Sequence, residues 1–179
     1  MKKTLIAAAL IAAPLTANAE FMDADWAAMA CDAWNANSTL TNELGGDWAG
    51  NNGGRGYKLI LSYRGKDSGG AAPCGQASRV QMTIEDKGGK AVCTYGGAPD
   101  AKAAVFDKSM DYEMHASDKN WAKMGTGETG AMGAMMWGKL KFNGPKMEAM
   151  SVMGPFNAYL QLVDDVREDA ATISAGSCN

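Results

Sequence analysis

The sequence is poor in the side chains on which most catalytic and metal sites depend. It contains a single histidine, His115, and no Cys-x-x-Cys pair. One histidine cannot complete a zinc site, and acid–base catalysis needs a partner group that the sequence does not reveal. His115 lies on the polar side of a predicted strand, so we interpret it as a surface residue. We therefore expect a protein that is not an enzyme and that holds no metal and no cofactor.

Long apolar runs and clusters of basic residues are also missing. No segment after residue 19 approaches the ~20 apolar residues that a membrane-spanning helix needs. No basic patch stands out, which argues against a nucleic acid as partner. A basic helix of the kind that lies on membranes is equally absent. These absences leave small molecules and proteins as partners, together with transient contact with a membrane.

The first 19 residues, MKKTLIAAALIAAPLTANA, predict a cleaved secretory signal. Lys2 and Lys3 precede a short apolar run, and the segment ends with the small residues Ala17-Asn18-Ala19. We expect export to a Gram-negative periplasm. Residues 20–179 then form a single domain of ordinary size, which we expect to be monomeric. Removing Lys2 and Lys3 from the 17 basic residues leaves 15 against 20 acidic ones, a net charge of −5.

Four cysteines remain in the exported part: Cys31, Cys74, Cys93 and Cys178. An even number in an exported chain favours two disulfides, although sequence cannot choose among the three pairings. We prefer Cys74–Cys93, which would tie neighbouring strands, and Cys31–Cys178, which would pin the C-terminal tail.

Hydrophobic periodicity predicts an α+β domain with helices packed on one face of a sheet. Alternation with a period of two predicts five strands, at residues 57–64, 79–85, 90–95, 110–115 and 139–143. Helical spacing predicts about four helices: one capped by Asp23, one capped by Ser117-Asp118, one from Ala131 to Trp137, and one after Pro145 that Gly154-Pro155 interrupts. The glycine-rich segment from Leu44 to Gly56 is predicted to be a surface loop.

One glycine motif has the spacing of a dinucleotide-binding loop. Gly125, Gly127 and Gly130 follow the G-x-G-x-x-G pattern. That fingerprint must follow a strand and open a helix within a βαβ unit, whereas a short helix precedes it here. A hinge between two helices is the better interpretation.

Methionines are concentrated in the C-terminal half. From Met110 to Met153 there are nine methionines, one leucine and no isoleucine. Three explanations compete: an ordinary core, a soft-metal site, and a cavity for an apolar ligand. A core built only for stability uses residues that specify packing better, whereas methionine adapts to partners of variable shape. The composition therefore favours a pliable apolar cavity.

The soft-metal alternative depends on Met147-x-x-Met150-x-x-Met153, because thioethers are suitable donors for monovalent copper. Val152 and Phe156 lie in the same segment, and no histidine interleaves with the methionines. A methionine-based periplasmic copper(I)-binding protein remains the alternative, together with a structural or interaction module whose cavity is closed.

The segment from Trp121 to Gly154 resembles the C-terminal half of the sterol carrier protein type two superfamily. The string GKLKFNG, residues 138–144, matches that superfamily's G-K-L-K-[IVF]-x-G strand. A short helix and a glycine-containing break precede the string, and the helical segment PKMEAMSVM follows it. The resemblance extends from about Met110 to Val163.

This resemblance implies a fold and a function. The fold is a five-stranded, mostly antiparallel sheet with helices on one face and an apolar tunnel between them. The function is non-catalytic binding or carriage of sterols or acyl chains; a phospholipid, hopanoid or quinone is as plausible a ligand. The residues that we expect to line the tunnel are Trp121, Met124, Met132, Met135, Met136, Trp137, Met147, Met150, Met153 and Phe156.

Overall fold

The computed structural model describes residues 21–65, 79–100 and 105–166. The predicted signal, Cys74 and Cys178 lie outside these residues. No helix within the described ranges combines the length and apolarity needed to cross a bilayer.

Within the described residues the sheet has five strands, as predicted. They are β1 (Tyr57–Arg64), β2 (Val80–Asp86), β3 (Ala91–Gly97), β4 (Tyr112–Ala116) and β5 (Lys141–Asn143). Their spatial order is β3-β2-β1-β4-β5. Only β1 and β4 run parallel to each other; the other neighbours are antiparallel. The fold class is therefore confirmed as α+β with a mostly antiparallel sheet.

In the part of the chain that the structure describes, seven helical segments accompany the sheet. They are α1 (Ala24–Ala36), α2 (Ser38–Glu43), α3 (Asp47–Gly50), α4 (Asp118–Gly125), α5 (Ala131–Met136), α6 (Lys146–Ser151) and α7 (Met153–Asp165). The Asp23 carboxylate caps α1 by accepting a hydrogen bond from the Trp26 amide at 2.7 Å. Ser117 caps α4 in the same way. Both caps were predicted, whereas α2 was not.

The segment from Leu44 to Gly56 is not only a surface loop, and that prediction is wrong. Its short helix α3 places the indole of Trp48 in the core, where it is 5% exposed. The indole nitrogen donates to the Tyr112 hydroxyl at 2.9 Å. One helical turn among the glycines is enough to direct this large apolar side chain inward.

The predicted interruption of the last helix occurs two residues earlier than Gly154. The chain leaves helical geometry at Val152, with φ −119° and ψ 39°, and separates α6 from α7. Pro155 then lies in the first turn of α7. Proline is tolerated there because the first amides of a helix have no intrahelical acceptor.

The preferred disulfide pairing is wrong for both cysteines that the structure describes. Cys31 of α1 is bonded to Cys93 of β3, with Cα atoms 5.4 Å apart. The two elements lie against each other: the Asn35 side-chain amide exchanges hydrogen bonds of 2.8 Å with both backbone groups of Cys93. A Cβ at Gly96 would come within 2.1 Å of the Ala27 carbonyl oxygen, so only glycine permits this approach.

The helices cover one face of the sheet, and the core lies between. Val80, Met82 and Ile84 of β2 and Met114 of β4 point into it. On the central strand β1, Lys58, Ile60 and Ser62 are in register with these residues, and Arg64 is in register with the buried Ala116 of β4. Three of these four are polar, so the floor beneath the helices is not uniformly apolar.

Candidate lipid-binding cleft

An open apolar cleft lies at the β5 edge of the sheet. It has a volume of about 460 Å³, within the ~300–1,000 Å³ typical of small-molecule sites. The α5 wall supplies three methionines, the segment around β5 supplies Leu140 and Phe142, and α6 supplies Met150. The ionisable groups among the lining residues are Lys141 and Lys146.

The alanines of α5 explain why its methionines border the cleft. Ala131 and Ala134 are fully buried and allow α5 to pack closely on the core. The Ala131 amide donates to the side-chain oxygen of Asn157 on α7 at 2.7 Å, which fixes the start of the helix. Gly138, with φ +65°, then turns the chain, and the Leu140 amide donates to the Ala134 carbonyl at 2.9 Å.

The structure separates the ten predicted ligand residues into groups. Met132, Met135, Met136 and Met150 line the cleft. Trp121 and Met124 are fully buried in the core, and Met153 packs against it. Trp137 and Met147 are each 78% exposed.

Phe156 borders a separate interior space beneath α7. That space measures only about 10 Å³, about the volume that holds a single water molecule. The larger apolar space is therefore a cleft at the sheet edge, and the residues beneath α7 are closely packed.

Leu140, Phe142 and the two lysines line the cleft but were not predicted to do so from the sequence. All four lie in or next to the GKLKFNG string that carries the family resemblance. The available signal was the string itself, because it follows the methionine-rich helix α5 directly in sequence.

The three methionines of the copper alternative occupy different environments. Met147 is largely exposed on α6, Met150 lines the cleft, and Met153 lies in α7 beyond the break. No observation favours their acting together on one ion.

A buried ion pair anchors the α6 wall of the cleft to the sheet. The Lys58 ammonium on β1 donates to the Glu148 carboxylate of α6 at 2.6 Å. The Lys58 side chain is fully buried, whereas that of Glu148 is 16% exposed. The Tyr112 hydroxyl donates to the same carboxylate at 3.0 Å, and the ammonium lies 4.5 Å from the Trp48 ring centroid. Burial lowers the pKa of Lys58, and the hydrogen bond to Glu148 opposes that shift.

Two further polar pairs extend from β1 into the helical layer. Arg64 makes a bidentate salt bridge with Asp118 at the start of α4, with distances of 2.9 and 2.6 Å. The hydroxyl groups of Ser62 and Tyr159 are 2.6 Å apart, which joins β1 to α7. These contacts satisfy the polar groups of β1 that the helices cover.

Replacing Tyr159 with phenylalanine should weaken the dependence of folding stability on pH in alkaline solution. Burial raises the pKa of Tyr159 to about 12 from its usual 10. Between these values the unfolded phenol ionises while the folded one keeps its proton, so wild-type stability falls as pH rises through this range. Urea unfolding at pH 8 and pH 11 measures the difference. At pH 8 the unfolding free energy of the variant should be about 1 kcal/mol below that of the wild type. Between pH 8 and pH 11 the variant should lose less unfolding free energy than the wild type loses. Equal losses in the two proteins would contradict this assignment.

The family comparison agrees with the cleft's position. Residues 70–157 match the model of the SCP-2 sterol transfer family. This part of the chain is similar in sequence to that family. The matched region includes α5, β5 and α6, so the sterol-carrier-like part of the chain contains every residue that lines the cleft. This family is one of lipid-binding and lipid-transfer proteins.

Solved structures with similar folds include further sterol carrier proteins. A solution structure from Thermus thermophilus, described as a possible sterol carrier protein, is 13% identical and covers 83% of this chain and 90% of its own, with a TM-score of 0.47. A crystal structure of sterol carrier protein 2 is 16% identical, covers 84% and 100%, and has a TM-score of 0.44. Similarities this distant support no argument about ligand or site. No curated protein sequence matches the chain as a relative.

Proposed function

We propose that this sterol-carrier-type protein binds and carries an acyl-chain or sterol-like lipid in the methionine-lined cleft, without covalent chemistry. The observation that carries the proposal is the cleft itself: about 460 Å³, lined chiefly by thioether, aliphatic and aromatic side chains. The match of residues 70–157 to the SCP-2 sterol transfer family supports the same function.

The energetics of such a cleft suit reversible carriage. Burying a methylene group stabilises by about 0.8 kcal/mol, so full burial of a 16-carbon chain offers at most about 12 kcal/mol before the cost of ordering it. Methionine side chains can reshape around different chains because they are unbranched and flexible. A carrier benefits from both properties, since it must accept its ligand and later release it.

The lining chemistry supports binding over catalysis. Apart from the two lysines, the described lining residues have no side chain that could act as a nucleophile, an acid or a base. The hydroxyl and carboxylate groups described above pair with one another or with Lys58 and Arg64 beneath the helices. The protein is therefore proposed to be a non-catalytic carrier. We also propose that it acts as a monomer.

The place of action is proposed to be the periplasm. Residues 1–19 have the composition of a secretory signal, and the Cys31–Cys93 disulfide suits an oxidising compartment. A lipid carrier there would exchange its ligand during transient contact with a membrane.

Native mass spectrometry of the gently purified protein tests the proposal. We expect a population that carries one additional mass of a few hundred daltons, which organic extraction removes and identifies as a lipid. The extracted protein should then bind a soluble fluorescent fatty acid with one-to-one stoichiometry. A protein that is consistently free of ligand and that rejects both acyl and sterol probes would contradict the proposed function.

A further inference from the structure

The rim of the cleft carries an unusual set of exposed apolar side chains. Trp137 and Met147 are each 78% exposed and Met136 is 72% exposed. Met136 also lines the cleft, and the other two adjoin lining residues in sequence. An exposed group of large apolar side chains usually marks an interaction surface.

Positive charge surrounds this group. The stretch 129–147 contains Lys139, Lys141 and Lys146 and no acidic residue, in a chain whose net charge is −3. The acidic residues that bracket the stretch are each paired with a lysine outside it: Glu128 with Lys123, and Glu148 with Lys58. These two acidic residues therefore do not pair with Lys141 or Lys146, whereas Glu128 also interacts electrostatically with Lys139.

The fold places two of these lysines beside the apolar group. Lys141 and Lys146 are exposed and line the cleft mouth. The Lys141 ammonium lies 3.4 Å from the position that a Cβ would take at Gly138, directly after Trp137. Apolar tips and ammonium groups thus share one rim, which we name the docking rim: Met136, Trp137, Lys141, Lys146 and Met147.

We propose that the docking rim is a membrane-docking surface that seats the cleft mouth on an anionic lipid bilayer. Tryptophan favours the boundary between headgroups and acyl chains, and lysine can keep its ammonium among phosphates while its stem lies against apolar groups. A lipid that leaves the cleft here would pass directly into the bilayer. The inference goes beyond the proposed function and is independent of it, because the rim could dock even if the cleft bound nothing.

Trp137 provides a selective probe of docking. The other four tryptophans, Trp26, Trp34, Trp48 and Trp121, are buried. Quenching of tryptophan emission by brominated acyl chains should therefore report on Trp137. The purified protein would be mixed with vesicles of phosphatidylglycerol and phosphatidylcholine, and with vesicles of phosphatidylcholine alone. We expect quenching and a blue shift with the anionic vesicles and much weaker binding to the neutral ones.

Neutralising the lysines tests the electrostatic part. Each basic residue near an anionic membrane surface contributes about 1 kcal/mol, so the double variant K141Q/K146Q should bind the anionic vesicles about 30-fold more weakly. The double variant K90Q/K108Q removes the same charge from exposed positions outside the rim and should bind like the wild type. Near-ultraviolet circular dichroism checks that both variants are folded.

Three results would overturn the inference. The first is no binding to the anionic vesicles by the wild type. The second is binding without quenching of Trp137. The third is an equal loss of affinity in the two double variants. If the rim bound a soluble acidic protein and ignored vesicles, the membrane assignment would also be overturned.

Discussion

The Glu148→Ala variant is expected to lose about 3–5 kcal/mol of unfolding free energy. The substitution leaves the Lys58 ammonium fully buried without its counter-charge. It also removes the acceptor of the Tyr112 hydroxyl and of the Asn51 side-chain amide. Urea denaturation near pH 7 measures the change. Because Glu148 anchors α6, the variant should also bind the fatty-acid probe more weakly.

The pH dependence of the unfolding free energy of Glu148→Ala identifies the cause of its lower stability. Burial already holds the pKa of Lys58 below 10.5, and losing Glu148 removes the main group that opposes this shift. Below its usual pKa the unfolded lysine then binds more protons than the folded one, so stability rises with pH. The deficit relative to the wild type should therefore shrink as pH increases from 7 towards 10. A deficit that does not change with pH would mean that lost packing, not the unpaired charge, explains the effect.

A matched control is Glu128→Ala, which breaks an exposed pair with Lys123. Exposed ion pairs contribute little, so its unfolding midpoint should stay close to that of the wild type. Lys58→Met should be milder than Glu148→Ala, because the carboxylate that it leaves behind is partly exposed and can be hydrated. If all three variants behaved alike, the buried pair would not have the anchoring role described here.

The second large effect is expected from placing negative charge in the cleft. Met132 and Met150 lie on opposite walls and are 39% and 45% exposed, so aspartate at both positions should not prevent folding. An acyl chain would have to desolvate the new carboxylates, which costs several kcal/mol. The double variant M132D/M150D should therefore bind a soluble fluorescent fatty acid at least about 100-fold more weakly than the wild type.

The control for this variant is Val105→Asp. Val105 is 88% exposed and does not line the cleft. The Val105→Asp substitution introduces the same kind of charge outside the cleft and should leave the affinity for the fatty-acid probe unchanged. Undiminished binding by the folded double variant would show that the ligand lies elsewhere.

Two local signals in the sequence predicted, respectively, strands of the sheet and an apolar surface. Alternation along β2 and β4 predicted those strands, because a half-buried strand must present every second residue to the core. The density of methionine in the C-terminal half predicted a pliable apolar surface, and four of the selected methionines line the cleft. Both features are encoded by residues close together in sequence.

The features that the sequence did not reveal depend on distant partners. Lys58 and Glu148 are 90 residues apart, and neither position differs locally from an ordinary surface charge. The disulfide joins residues 62 positions apart, and its choice depends on how α1 lies against β3. Trp48 appeared to belong to a glycine-rich loop because the single turn of helix that buries it has no periodic pattern to detect. Such contacts arise only once the sheet order brings the segments together.

The most direct test of the account is to locate the bound lipid. A fatty acid with a photoreactive diazirine near the end of its chain would be bound to the purified protein, irradiated, and mapped by peptide mass spectrometry. We predict adducts between Met132 and Met150, above all at the methionines that line the cleft, and competition by unlabelled fatty acid. Saturable adducts that lie only outside this segment would contradict the assignment of the cleft as the lipid-binding site.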